Sequence, residues 1–151
     1  MNALIHASSM PQEAVRNMWS GLDRKKIQPE KPVCKSKIKQ KLDEGKRVIL
    51  VELDPPRSAD LGGFMQGARA LAQAGADAIT IADCPIGRAR MDSSILACKM
   101  SRELGIEALP HMTCRDRNVN ATKALLLGLS MEQVHNVLVV TGDPIPTEER
   151  G

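Results

Sequence analysis

The sequence predicts an α/β fold of about four parallel strand-then-helix units, and three observations carry that prediction. Four short apolar strands recur: Arg47–Leu53 (RVILVEL), Asp77–Ala82 (DAITIA), Glu107–His111 (EALPH) and Asn136–Thr141 (NVLVVT). Their equivalent positions Val48, Ala78, Ala108 and Val137 lie 30, 30 and 29 residues apart, which leaves room for one helix between strands. Each strand ends in polar residues: Glu52 and Asp54, then Asp83, then His111 and Thr113, then Thr141 and Asp143. A unit that reads strand then helix builds a parallel sheet with helices laid against it. In such folds the carboxyl edge of the sheet binds ligands and carries chemistry. The repeat therefore marks a functional edge as well as a fold.

A chain of 151 residues makes one ordinary domain and buries roughly two-thirds of its unfolded surface. A closed barrel of eight such units takes on the order of 250 residues, so four units are half of one. Net charge is +3, and the only aromatics are Trp19 and Phe64. A nucleic-acid binder carries a denser basic stripe or stacking aromatics; the clusters Arg24–Lys26 and Lys35–Lys41 read as solvated helix faces. No apolar run approaches the roughly 20 residues that span a bilayer. The opening MNALIHASSMPQEA has neither the basic nor the apolar region of a secretory signal. Cys34, Cys84, Cys98 and Cys114 are widely spaced, with no Cys-x-x-Cys pair to suggest a metal site. Free thiols in a reducing cytoplasm are the plain expectation.

Taken in order, Met1–Val33 differs from the rest. It offers one amphipathic helix, Gln12–Leu22, behind Pro11 at a tolerated first-turn position. The proline-punctuated DRKKIQPEKP that follows reads as a linker. Lys35–Glu44 is a short basic helix with Ile38 and Leu42 paired at i,i+4, closed by Gly45; a helix in this place plugs the bottom of many barrels. Pro55-Pro56 stops the first strand. A helix over Gly62–Ala74 ends at Gly75, and Asp92 or Ser93 caps one over Ser94–Leu104 that stops at Gly105. Asn118 caps a helix to about Gly128, and a separate short turn, Ser130–Val134, precedes the last strand. Met65, Met100 and Met131 read as core filler.

Glu52 and Asp54 are an even step apart and share one face of their strand. An acid at a strand end among apolar residues suits general-acid work; pairing of Glu52 with Arg57 or a lysine is the structural alternative. The run Pro110–Cys114 puts an imidazole, His111, and a hydroxyl, Thr113, at the end of strand three. A lone interior histidine is more often a hydrogen-bonded structural group than a catalyst, and Cys114 alone is too little for a metal. Gly142-Asp143-Pro144 is a turn whose glycine permits close approach of a ligand. Arg88, Arg90, Arg115 and Arg117 lie in the same loops; they suit phosphates or a carboxylate, or salt bridges to Asp92 and Asp116. Leu61-Gly62-Gly63 is not the G-x-G-x-x-G of a dinucleotide fold.

The ordered motifs VELDPPR (Val51–Arg57), PHMTCRDRN (Pro110–Asn118) and NVLVVTGDP (Asn136–Pro144) strongly resemble the methylenetetrahydrofolate reductases, from about Val33 to the end. The version here is most similar to the branch fused behind a homocysteine methyltransferase. The resemblance implies a partial (β/α)8 TIM barrel over residues 34–151, the N-terminal half of the reductase barrel, behind a helix-and-linker extension at 1–33. It implies FAD at the carboxyl end, NADH or NADPH as co-substrate, and reduction of 5,10-methylenetetrahydrofolate to 5-methyltetrahydrofolate. Glu52 matches the family's general acid, which helps open the folate's five-membered ring to an iminium cation. His111 matches a residue lining the flavin site. Gly142 and Asp143 match contacts to flavin and folate, with the Asp143 carboxylate facing the iminium charge. Well-known members carry Thr-Tyr where this chain has Ala82-Asp83, and Arg where it has Thr141.

The chain stops in mid-unit at Thr147–Gly151, so a truncated half-barrel without activity of its own is one expectation. The other is a flavin oxidoreductase module completed by a complementing half-barrel or a second copy. A pterin-dependent methyltransferase barrel is a third, opposed by the joint presence of VELDPP and TGDP. The expected partner is a small-molecule folate, with no nucleic acid and no membrane.

Overall fold

The computed structural model describes residues 36–147. The expected helix Gln12–Leu22, the linker, Cys34 and the division at residue 33 lie outside the described residues. In order, the elements are α1 (Lys37–Asp43), β1 (Leu50–Glu52), α2 (Gly62–Gln73), β2 (Ala78–Ile81), α3 (Ser93–Leu104), β3 (Glu107–Thr113), α4 (Val119–Met131) and β4 (Leu138–Val140), with a 3-10 turn at Pro85–Gly87.

The four strands form one sheet in the order β1-β2-β3-β4, every pair parallel. Right-handed crossovers between sequential parallel neighbours put every connecting helix on the same face. A doubly wound sheet would instead reverse its strand order. The architecture is therefore the singly wound one of a partial (β/α)8 barrel, as the repeat and the motifs predict. Residues Ile79, Ile81 and Ala108 face the helices and are at most 1% exposed. They meet Phe64, Met65 and Ala68 of α2, Leu96, Ala97 and Met100 of α3, and Leu129 of α4 in one core. By register, Leu50, Glu52, Ala78, Thr80, Leu109, His111, Leu138 and Val140 share the other face, the inner one.

Strand lengths follow from pairing. β1 and β4, bonded on one side only, keep three residues each, whereas β3, bonded on both sides, extends to Thr113. Helix starts follow capping chemistry. Asp92 Oδ1 accepts from Ser94 and Ile95 N–H at 2.8 and 3.1 Å, and Asn118 Oδ1 from Ala121 N–H at 2.9 Å. Two expectations are corrected. α4 does not stop at Gly128 with a separate turn after it; it runs through to Met131, and the left-handed terminator is Gln133 (φ 61). Burial of Leu129, one residue past the glycine, outweighs the roughly 1 kcal/mol that glycine costs a helix. Met131 is not core filler but 72% exposed, unlike Met65 and Met100.

Helix α1 is bound to the amino edge of the sheet. Glu107, the first residue of β3, accepts from Lys37 and Ile38 N–H at 2.9 and 2.8 Å. Ser36 caps the same helix by accepting from Lys39 N–H at 3.1 Å, and donates to Asn136 Oδ1 at 2.6 Å. Lys41 pairs with Asp77, just before β2, and Asp77 Oδ2 accepts from Ile49 N–H at 2.9 Å. The helix thus ties together the approaches to all four strands at the barrel's bottom.

Replacing Glu107 with Ala removes two charge-assisted bonds, each worth roughly 1.5–3 kcal/mol. Hydrogen exchange should quicken at the Lys37–Lys39 amides while those of β2 stay protected. The Lys41 ammonium, and after it the Ile49 amide, hold the Asp77 carboxyl below its ordinary value of 3.8. A depressed acid stabilises the fold above its unfolded value and loses that contribution as pH falls through the folded one. Attachment of α1 should therefore be intact above about pH 4 and weaken below it, and Asp77→Asn should flatten that acid limb in a pH series of thermal melts.

Candidate active site at the carboxyl edge

Strands two apart in a sheet lie about 9.5 Å apart, yet Glu52 Oε2 on β1 is 3.8 Å from His111 Nε2 on β3. The two side chains lean toward each other across Thr80, the β2 residue in register with Glu52 and Leu109. They meet over the concave inner face. His111 is held from behind, since the buried Ser93 hydroxyl donates to its carbonyl at 2.8 Å. Its side chain is 15% exposed and that of Glu52 59%, so the carboxylate stands in solvent rather than among the apolar groups expected around it. Neither a lysine nor Arg57 but the imidazole is the described ion-pair partner of Glu52, when that ring is protonated.

The loops beyond β2, β3 and β4 interlock. Asp83, two residues past β2, is buried, and its Oδ2 accepts from Thr113 N–H at 2.9 Å and from the Thr113 hydroxyl at 3.0 Å. Arg117 approaches the same oxygen at 4.0 Å while bonding Asp92 at 3.0 Å, so it joins this loop to the cap of α3. Gly142 (φ 87) lies against Thr113; a Cβ there would sit 3.1 Å from the Thr113 Cβ and Cγ2. Next to it, Asp143 Oδ2 accepts from Ile86 N–H at 2.7 Å, and the Asp143 carbonyl accepts from Arg115 Nη1.

The β2 loop is wound tightly enough for that bond only because Cys84 (φ 47) and Ile86 (φ 61) take left-handed conformations on either side of Pro85. Such conformations cost a non-glycine residue of order 1–3 kcal/mol and persist where surroundings enforce them. Arg115 also grips Asp116 at 2.6 Å. That contact pushes the guanidinium up and holds the Asp116 carboxyl below its usual range. Arg115 and Arg117 thus serve the salt bridges, with Asp116 and Asp92, that the sequence offers as the structural alternative. Among the described residues no cluster of His, Cys, Asp and Glu is arranged to hold a metal.

A strand-end acid, Glu52, thus converges on the histidine of Pro110–Cys114, with Gly142-Asp143 after β4 on the same edge. The sequence profile described as Methylenetetrahydrofolate reductase matches residues 37–150. The chain belongs to the methylenetetrahydrofolate reductase family. No curated protein matches it. Within the reductase framework, the structure places Glu52, His111, Gly142 and Asp143 at one edge, but in two clusters. Glu52 and His111 share the inner face, while Gly142 and Asp143 are fastened to the loops beyond β2 and β3. Two groups in the second cluster had no role assigned from sequence. Asp83 carried a signal, being the polar residue that ends its strand. Ile86 carried none, because its contact is set by a residue 57 positions away.

Gly142→Ala should cost about 1–2 kcal/mol from the left-handed conformation alone, and more from the Thr113 contact. Thermal melts check the loss, and faster exchange at the Ile86 amide would show that the Asp143 bond has loosened with it.

Proposed function

We propose that this carboxyl edge is a flavin and folate site that reduces 5,10-methylenetetrahydrofolate to 5-methyltetrahydrofolate with NADH or NADPH. The observation that carries the proposal is the Glu52–His111 pair over the concave face, 3.8 Å apart, on the edge where Asp143 is already aimed by the Ile86 amide. The chemistry of the donors suits FAD. A cleft of about 350 Å³ between the β1 and β2 loops is lined by Arg57, Arg90 and Asp92. The guanidinium groups of Arg57 and Arg90 suit phosphate oxygens, and the buried Nε of Arg90 has no hydrogen-bond partner among the described residues. Leu109, two residues before His111 on β3, and Leu138, in register with His111 on β4, flank it on the inner face, a surface against which a flat ring can rest.

When bound, FAD supplies the hydride carrier between nicotinamide and folate. Glu52, solvent-facing and within reach of an imidazole that can resupply a proton, protonates the folate's ring nitrogen as the five-membered ring opens. Asp143 faces the resulting iminium carbon–nitrogen cation with a fixed carboxylate, stabilising charge where it develops. Gly142, where a Cβ would meet Thr113, lets the turn that carries Asp143 pack closely against the end of β3. Leu50 and Leu138 of the inner face are 45% and 41% exposed, which supports closure of the barrel over this face by further strands. The free thiols of Cys84, Cys98 and Cys114 support a reducing, cytoplasmic setting.

Glu52→Gln separates the two half-reactions. Flavin reduction by nicotinamide should survive, while folate reduction falls by roughly 10²–10⁴. Stopped-flow flavin absorbance reads both, and unchanged folate reduction would remove Glu52 from the general-acid role.

A further inference from the structure

The turn after β2 is held against its own conformational preference. Cys84 (φ 47) and Ile86 (φ 61) are left-handed on either side of Pro85, and Gly87 (φ 67) makes a third. Glycine takes that conformation freely, whereas a β-branched residue there is a genuine outlier. Burial does not impose it on Ile86, whose side chain is 68% exposed. The turn's own bonds lie at the long end: Gly87 N–H to the Cys84 carbonyl at 3.1 Å and Arg88 N–H to the Pro85 carbonyl at 3.3 Å. Strain of this kind persists only where surroundings enforce it, and it gathers at ligand clamps and switches.

Two contacts from the loop after β4 enforce it. Asp143 Oδ2 accepts from the Ile86 N–H at 2.7 Å. Gly87 is buried against Pro144, so close that a Cβ would collide with the Pro144 carbonyl oxygen and stand 3.0 Å from the Ile145 Cα. The ends of the segment are tied separately. Asp83 is fixed to Thr113, and the Met91 N–H donates to the Pro56 carbonyl at 3.0 Å. Between these anchors, residues 84–90 reach from β2 to the loop after β4, past the end of β3 that lies between them. The Asp143 backbone is pinned from the other side, since its carbonyl accepts from Arg115. Its carboxylate can therefore turn away without moving the chain that carries it.

We propose that residues 84–90 are a strap that the negative charge of Asp143 holds closed, and that neutralising this charge opens it. The proposal rests on the reading of Asp143 as the carboxylate that faces the substrate's cation. A cation arriving there competes with the Ile86 amide for the same oxygens. A bond to a charged acceptor and the strain of two left-handed residues are of the same order. The balance is therefore close, and loss of the bond lets Cys84 and Ile86 relax to ordinary conformations. Arrival of the cation and release of the strap are coupled. By linkage, a released strap in turn leaves Asp143 more available to the cation.

Hydrogen exchange, limited trypsin digestion and thermal melts of the purified chain, with no ligand present, test the strap separately from that reading. Asp143→Asn keeps the size of the side chain and an acceptor oxygen but removes the charge. Exchange at the Ile86 amide should quicken at least tenfold, and trypsin should cut after Arg88 at least tenfold faster. The Ile79 and Ile81 amides of β2 should stay protected. Ile86→Gly keeps the amide and removes the left-handed penalty, so protection at position 86 and the melting temperature should both rise. Unchanged exchange and cleavage in Asp143→Asn would overturn the proposal, because the Gly87–Pro144 contact would then hold the turn alone. Lost protection at Ile79 and Ile81 would overturn it too, making the bond a support of the whole sheet. So would an Ile86→Gly chain that melts no higher, since no strain would be stored to open the strap. A chain that gives every expected result yet never reduces folate would contradict the assignment of the site and leave the strap standing.

Discussion

The carboxylate of Asp83 is the group on which the carboxyl edge depends. It is buried, and an unpaired buried charge costs several kcal/mol. The loop after β2 can take its position only if the end of β3 supplies donors, which Thr113 does twice, through its amide and its hydroxyl. Thr113 in turn is the surface on which Gly142 rests. Gly142 sets the turn that aims Asp143 at Ile86, and Ile86 lies three residues past Asp83. The three loops close a circuit, and each link presupposes the others. Networks of this kind rigidify when complete and fail together when a member is lost.

The two edges of the sheet have different work. At the amino edge, Glu107, Ser36, Lys41 and Asp77 spend their bonding on holding α1. At the carboxyl edge, Glu52 is solvent-facing and Arg90 keeps a donor with no partner among the described residues, while Arg115 and Arg117 are committed to Asp116, Asp92 and the Asp143 carbonyl. The arginines thus divide between the scaffold and the cleft. The split matches the general behaviour of parallel α/β folds, in which one edge is for stability and the other for ligands.

The fold was legible where physics is local. Thirty-residue spacing, apolar runs and the caps Asp92 and Asn118 placed every described strand and helix to within a few residues. Boundaries failed where tertiary context decides them. β1 and β4 are shorter than their apolar runs because each is bonded on one side only, and α4 passes Gly128 because Leu129 is buried beyond it. The shared edge of Glu52, His111, Gly142 and Asp143 was legible from period and motif. Their grouping was not. The Glu52–His111 approach depends on sheet curvature, and the left-handed Cys84 and Ile86 depend on a bond from Asp143. Nothing in the local run Cys84-Pro85-Ile86-Gly87 specifies two left-handed residues before the glycine.

An equilibrium titration of the purified chain with FAD, followed by flavin fluorescence and the visible spectrum, tests most directly whether this interlocked edge is organised for a flavin. Saturable binding with quenched fluorescence and a perturbed spectrum is the predicted result. A chain that circular dichroism shows to be folded, yet that leaves the flavin spectrum unchanged at every concentration, would contradict it.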